Sequence, residues 1–248
     1  MLLTLFSGCV QRAKPGRDAG DPTPFMDIQQ KGMMTMDYNL ARVNMVKSQA
    51  VPNMVLDETL LAGMLRVSRE AFTTPAHRML AYSDMPVAWN DSGRRSLTPL
   101  QTGQMIQALA LSAGDRVLVI GAGSGYESAL LAAMGMKVFA LESDAELAAR
   151  GARLTEGADV TWRVAPLADG WSEAGRYDGI LICGAVATVP NKIVGQMQPD
   201  GALTAILGLT GDVVMRGVKI SGVPAREEAL FDTVAPILPG FGDGGFRV

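Results

Sequence analysis

The sequence predicts an α/β protein with a doubly wound, mainly parallel sheet. From residue 117 onward, strand-like apolar runs alternate with helical runs at the spacing of strand-helix-strand units. The run VLVIGAGSGYESALLAAMG at 117–135 has the pattern of a buried strand, a glycine turn and the start of a helix. A chain of 248 residues with 48% hydrophobic content is long enough to form one substantial core.

Two helices are predicted before the glycine turn. Asp57 is a suitable N-cap for the run ETLLAGMLRV, and residues 98–111 form a second amphipathic segment. After the turn, strands are predicted at 137–142, 160–164, 179–184 and from 202, with helical segments beginning at 144 and 191. The runs VVMRGVKI and EALFDTV predict a hairpin near the C-terminus.

Residues 1–35 differ in composition from the rest of the chain. They are rich in Pro, Gly and charge and have no helical or strand period, which predicts a disordered tail before a domain at 36–248. The stretch Phe6-Ser7-Gly8-Cys9 has the pattern of a lipoprotein cleavage box, which would place the protein on a membrane. The absence of basic residues before it, and the eight residues preceding Cys9, favour the tail.

Composition argues against several classes of function. The pI near 5.3 and the lack of a basic run longer than Arg94-Arg95 disfavour nucleic acid as a partner. Cys9 and Cys183 are far apart, so we expect no disulfide framework and a reducing compartment, the cytoplasm. Because the lipoprotein pattern is disfavoured, we expect no membrane association. One histidine and two separated cysteines do not form a metal-binding pattern. The oligomeric state stays open.

The spacing of the glycines indicates the type of ligand. Gly121, Gly123 and Gly125 alternate, and Tyr126 occupies the position where a dinucleotide-binding turn has its third glycine. No Gly-Lys-Ser/Thr follows, so the phosphate loop of the NTPases is also missing. Alternating glycines let a ligand lie close to the strand ends. This suits a nucleoside without a pyrophosphate, such as S-adenosylmethionine.

A carboxylate is predicted beside this turn. Glu142 ends the next predicted strand, seventeen residues after Gly125. An acceptor-only carboxylate at that place can bind both hydroxyls of a ribose. We therefore predict cofactor contacts from Glu142 and from the turn itself, that is Gly121, Ala122, Gly123, Ser124 and Gly125.

Residues 36–238 resemble the protein-L-isoaspartate O-methyltransferases. The resemblance rests on Asn44-Met45-Val46-x-Ser-Gln49, Val67-x-Arg69-x-x-Phe72, Ala81-Tyr82-x-Asp84-x-Pro86, Gly121-x-Gly-Ser-Gly-Tyr126, Tyr177-Asp178-Gly-Ile and Gln198-Pro-Asp-Gly201. The segment from Asn44 to Tyr82 is its distinctive part, because a generic methyltransferase has no reason to carry it.

The resemblance implies a fold, a cofactor and a reaction. The fold would be a Rossmann-like methyltransferase sheet at 113–248 with a helical cap and substrate-side segment at 36–112. The reaction would be methyl transfer from S-adenosylmethionine to the carboxylate of an isoaspartyl or D-aspartyl residue, in protein repair. The family's Gly-Asp-Gly corresponds to Ala168-Asp169-Gly170, which implies that Asp169 lies at the adenine edge.

The chain also departs from the family pattern. Val119 stands where the family usually has an acidic residue, and Leu97 and Leu100 replace a serine and an aromatic or histidine in the substrate segment. Ser96 or Thr98 could supply the acceptor-side hydroxyl, and Leu97→Ser is predicted to raise turnover. Two alternatives therefore stay open: a methyltransferase for a small molecule or another acceptor, and a catalytically degenerate cofactor-binding module.

Overall fold

A seven-stranded mixed sheet forms the centre of the protein. The computed structural model describes residues 36–90 and 93–241, so the predicted tail at 1–35 lies outside the described residues. The strands are β1 Arg116–Ile120, β2 Lys137–Glu142, β3 Val160–Val164, β4 Tyr177–Val186, β5 Met197–Leu207, β6 Met215–Ser221 and β7 Arg226–Thr233.

The strand order is β3-β2-β1-β4-β5-β6-β7. Strands β1 to β5 run parallel, and β6 and β7 join the edge as antiparallel strands. The predicted α/β class, the parallel sheet and the C-terminal hairpin are thereby confirmed. Because β1 and β2 are parallel neighbours, the glycine turn after Ile120 and the acidic residue Glu142 lie at the same edge of the sheet.

Six α-helices are present among the described residues, and side chains cap several of them. They are α1 Tyr38–Met45, α2 Glu58–Arg66, α3 Pro99–Leu109, α4 Tyr126–Ala133, α5 Ala145–Leu154 and α6 Asn191–Val194. Asp57 begins α2 by accepting the Leu60 N–H at 2.8 Å, and Asp144 caps α5 in the same manner. No helix in the described part of the chain is long and apolar enough to cross a lipid bilayer.

The two faces of the sheet are covered unequally. Val117 and Val119 of β1 face a core layer that includes residues of α1 to α4, while Leu118 and Ile120 face the opposite layer. The second layer is covered by the one-turn helix α6 and by 3-10 turns in the connection from β3 to β4. Helices were expected on both faces of the sheet. The helices α1 to α4 lie against the face that carries Val117 and Val119.

Candidate functional site

The glycine turn after β1 runs from Gly121 to Gly125 and leads directly into α4. The φ angles of Gly121, Gly123 and Gly125 are 73°, 56° and 97°, in the left-handed region that L side chains rarely adopt. The N–H groups of Gly121 and Ala122 both donate to the Leu141 carbonyl, at 2.9 and 3.1 Å. The turn is therefore fixed to the end of β2.

Glu142 lies beside this turn with its carboxylate fully buried. Its Oε2 accepts the Gly123 N–H at 2.8 Å, and its Oε1 accepts the N–H groups of Ser143 and Asp144 at 2.7 and 3.1 Å. Backbone donors compensate part of the cost of burying a charge. The structure thus joins the two features that sequence reasoning paired, the glycine turn and the acid of the second strand.

Two residues at this site were missed by sequence reasoning. Arg94 donates from Nη1 and Nη2 to the two Glu142 oxygens, at 2.8 and 2.9 Å. Trp89 packs on Gly123, where an added Cβ would stand 2.1 Å from its ring. Both belong to one hairpin, residues 87–90 and 93–96, which we call the covering hairpin. In it the backbone N–H of Trp89 donates to the Arg94 carbonyl at 3.0 Å. The adjacent arginines at 94 and 95 were the available signal.

Replacing Gly123 by alanine is expected to destabilise the protein by about 1 to 3 kcal/mol, because the new Cβ meets the Trp89 ring as well as adopting a positive φ. Denaturant unfolding of the variant measures this loss. In a Trp89→Ala background the penalty should shrink. Gly114→Ala, with φ 94° and open space around it, controls for backbone strain and should cost the same in both backgrounds. An undiminished Gly123→Ala penalty would contradict the contact.

Two turn residues direct their side chains away from the strand ends. Ala122 packs in the first core layer, and the Ser124 hydroxyl donates to the Phe72 carbonyl at 2.6 Å. Ser124 therefore ties the turn to the 3-10 helix Arg69–Phe72. The cofactor contacts predicted for these two residues stay predictions, and their side chains are already engaged elsewhere.

Asp169 has structural partners on both its side chain and its backbone. Its exposed carboxylate pairs with Lys192 of α6, and its carbonyl accepts the Gln196 side chain at 2.9 Å. The residue that follows β3 beside the site is Ala165, whose N–H donates to the Glu142 carbonyl at 3.1 Å. Asp169 lies in the next 3-10 turn, Leu167–Asp169, and its adenine contact stays a prediction.

The hydroxyls of Ser96 and Thr98 both have structural partners. Thr98 is the N-cap of α3: its Oγ1 accepts the Gln101 N–H at 3.2 Å, while the Gln101 side chain accepts the Thr98 N–H at 2.9 Å. Ser96 Oγ accepts the Val87 N–H at 3.0 Å and an Arg69 N–H at 3.1 Å. Both hydroxyls therefore take part in structural hydrogen bonds. A catalytic role for Ser96 or Thr98 stays a prediction.

The leucines of the substrate segment contribute to the core. Leu97 is fully buried in the first core layer, and Leu100 is partly buried against the same layer. Leu97 therefore packs in the core and is not exposed to an acceptor cleft. Val119 also lies in this layer, so an acidic residue at its position would be buried.

A buried polar cluster lies beneath the turn. Arg69 donates to the Ala81 and Leu97 carbonyls at 2.9 and 2.5 Å, and its Nη1 is 3.9 Å from the fully buried Glu127 carboxylate. Its guanidinium also stacks on Tyr126, 4.5 Å from the ring centroid. Burial raises the pKa of Tyr126 to about 12 and raises the pKa of Glu127, which the Arg69 charge opposes.

The segment after β7 closes the other side of the site. The Ala185 N–H donates to the Pro236 carbonyl at 2.8 Å, and the Leu238 N–H donates to the Ala185 carbonyl at 2.8 Å. Leu238 covers the glycines at the ends of β1 and β4, since a Cβ added to Gly121 or Gly184 would meet it at 2.8 and 2.6 Å. The Leu238 side chain therefore covers these two strand ends.

An open groove of about 840 Å³ is lined in part by the covering hairpin. Trp89 forms part of its wall, with Arg150 and Arg153 of α5 and with His77. His77 is partly exposed and its Nδ1 is 2.8 Å from the Thr74 hydroxyl.

The remaining candidate groups have no catalytic environment in the described structure. Cys183 lies in the core, and burial raises the pKa of its thiol well above the usual value. Among residues 36–90 and 93–241, no three His, Cys, Asp or Glu side chains are grouped as metal ligands.

Known proteins share both the cap and the sheet. The family model for protein-L-isoaspartate(D-aspartate) O-methyltransferase matches residues 41–225. A protein-L-isoaspartate O-methyltransferase of Methylorubrum extorquens is 38% identical over 206 residues, covering 82% of this chain and 90% of its own. The enzyme of that name from Syntrophotalea carbinolica is 32% identical, covering 79% and 92%.

Solved structures show the same fold. A protein-L-isoaspartate O-methyltransferase structure superposes with a TM-score of 0.70 at 20% identity, covering 82% of this chain and 66% of that one. A putative one from Plasmodium falciparum, in complex with S-adenosyl-L-homocysteine, gives 0.66 at 18% identity, covering 82% and 98%. With the family match extending from the helical cap through the glycine turn to the C-terminal hairpin, the chain belongs to the protein-L-isoaspartate(D-aspartate) O-methyltransferase family.

Proposed function

We propose that this protein transfers a methyl group from S-adenosylmethionine to the carboxylate of L-isoaspartyl residues, as a step in protein repair. The observation that carries the proposal is the hydrogen bond from Gly123 to the buried Glu142 carboxylate. It joins the glycine turn to an acidic residue at the carboxyl ends of neighbouring parallel strands, in a chain of this family.

The residues present fit this cofactor. The missing side chains of Gly121 and Gly123 leave room for a ligand that lies along the strand ends, once the side chains that now contact these glycines move. Glu142 is the acceptor for the ribose hydroxyls. Ala165, next to the Glu142 backbone, offers a small apolar surface beside the adenine. When bound, the cofactor supplies a methyl group already activated by the sulfonium.

The acceptor side needs positioning more than it needs proton transfer. An aspartyl-type carboxylate has a pKa of about 4, so the nucleophile is already an anion near neutral pH. The protein then has to hold that anion in line with the methyl group and exclude water. Leu238 and the partly buried Leu100 provide apolar surface for this purpose. We propose an isoaspartyl-containing protein or peptide as substrate and the cytoplasm as location.

Labelled methyl transfer tests this function directly. We expect the protein to methylate an isoaspartyl peptide and to leave the matched aspartyl peptide unmodified, since the carboxylates differ in position along the backbone. Scintillation counting of the base-labile methyl ester measures both.

Cofactor affinity, measured by calorimetry in the same preparation, separates the outcomes. Binding without methylation of either peptide would favour either another acceptor, such as a small molecule, or a catalytically degenerate cofactor-binding module. Absence of cofactor binding would contradict the proposed function.

A further inference from the structure

The Glu142 carboxylate has no free acceptor site. A carboxylate offers about four lone-pair positions. Three backbone N–H groups, from Gly123, Ser143 and Asp144, donate to it, and the Ser143 hydroxyl donates at 3.3 Å. Arg94 adds two guanidinium donors at 2.8 and 2.9 Å. Two ribose hydroxyls would need two of these positions. They can bind only if existing donors leave.

Arg94 is the donor pair that can leave. The three backbone donors are fixed by the glycine turn and by the connection between β2 and α5. Arg94 comes from the covering hairpin, a separate part of the chain, and its side chain is 11% exposed while that of Glu142 is 0% exposed. A flexible side chain at the rim of the site is displaced at lower cost than backbone held in secondary structure.

Trp89 provides a second, independent observation. Its ring lies on Gly123, the glycine that also donates to Glu142. A ligand passing close to that glycine would need the space that the ring fills. Because the Trp89 N–H donates to the Arg94 carbonyl, the two residues are parts of one hairpin that contacts both halves of the predicted cofactor site.

We propose that cofactor binding is an exchange in which the two ribose hydroxyls replace the Arg94 guanidinium on Glu142 and the covering hairpin shifts away from Gly123. This inference rests on the proposed cofactor. Arg94 is then a positioning residue that lowers cofactor affinity and slows association, because part of the binding free energy is used to break its bidentate ion pair.

Replacement of Arg94 tests the exchange. We expect Arg94→Ala to bind S-adenosylhomocysteine about tenfold more tightly than the parent protein. A tenfold change is the lower end of the range expected when a competing hydrogen bond to a charged group is lost. Association in stopped-flow experiments should also be faster. Arg94→Lys should fall between them, since an ammonium cannot form the bidentate pair. The matched control is Arg95→Ala, which removes an exposed charge from the same hairpin and should behave as the parent protein.

Equal affinities of Arg94→Ala and Arg95→Ala would overturn the proposal. Weaker binding by Arg94→Ala would also overturn it, since Arg94 would then be a cofactor ligand. The unmodified protein gives a second measurement that does not depend on folding of a variant: its association rate should reach a plateau with rising cofactor concentration, with a tryptophan fluorescence change that Trp89→Phe removes. A linear rate without that signal contradicts the exchange. Failure of every protein to bind would overturn the proposed function and the exchange together.

Discussion

Arg69→Met is expected to lower the free energy of unfolding by about 3 to 5 kcal/mol, the usual cost of removing one partner of a buried ion pair. The Arg69 side chain is 2% exposed, and Glu127, whose carboxylate lies 3.9 Å away, is 0% exposed. Methionine would fill much of the volume but would leave the Glu127 charge without a cation. It would also remove the donors to the Ala81 and Leu97 carbonyls, which tie the 3-10 helix Arg69–Phe72 to two later segments of the chain.

Urea unfolding measures this loss, and a double-mutant cycle identifies its cause. Arg69→Met/Glu127→Gln should recover part of the stability because it removes the unpaired charge. Arg95→Met, on an exposed arginine, is the control and should change stability by less than about 0.5 kcal/mol. A loss that is the same with and without the Glu127 substitution would contradict the ion-pair explanation.

The stability of the Arg69→Met variant should depend on pH in a distinctive way. Burial raises the pKa of Glu127 in the folded protein, so the folded state binds this proton more tightly than the unfolded chain does. The contribution of Glu127 to stability is therefore fully present below its unfolded pKa and is lost as the pH rises through the raised folded value. Without Arg69 that pKa should rise further. The stability deficit of Arg69→Met should thus be larger near neutral pH than in mild acid.

Leu97→Ser is expected to destabilise the protein by about 3 to 5 kcal/mol, combining the loss of a buried leucine with the burial of a hydroxyl. Leu97 is fully buried in the core layer under the cap. The sequence alone suggested the opposite outcome, a gain of turnover by restoring a family serine. The structure predicts a less stable protein with no gain in isoaspartyl methylation.

Thermal unfolding and the methyl-transfer assay together measure the effect of Leu97→Ser. Leu100→Ser is the matched control, because Leu100 is partly buried and should lose less stability. Higher turnover by a Leu97→Ser protein of unchanged melting temperature would show that the side chain does face the acceptor.

The sequence by itself determined the features that are local. Strand and helix periods, the N-cap at Asp57, and the order of glycine turn and acidic strand end are encoded within short windows. The structure has them at or near the predicted places, although β5 begins at Met197 and not at residue 202. Parallel pairing then brings Glu142 beside Gly123, because the carboxyl ends of neighbouring parallel strands share one edge.

Tertiary structure alone decided which side chains meet at this edge. Arg94 and Glu142 are 48 residues apart in the chain, and neither has a local pattern that identifies its partner. The burial of Leu97 depends on helices packed from other parts of the chain, and the position of Asp169 depends on a loop whose path no periodicity describes. Periodicity reports the face of one element, whereas contacts between distant segments arise only when several elements pack together.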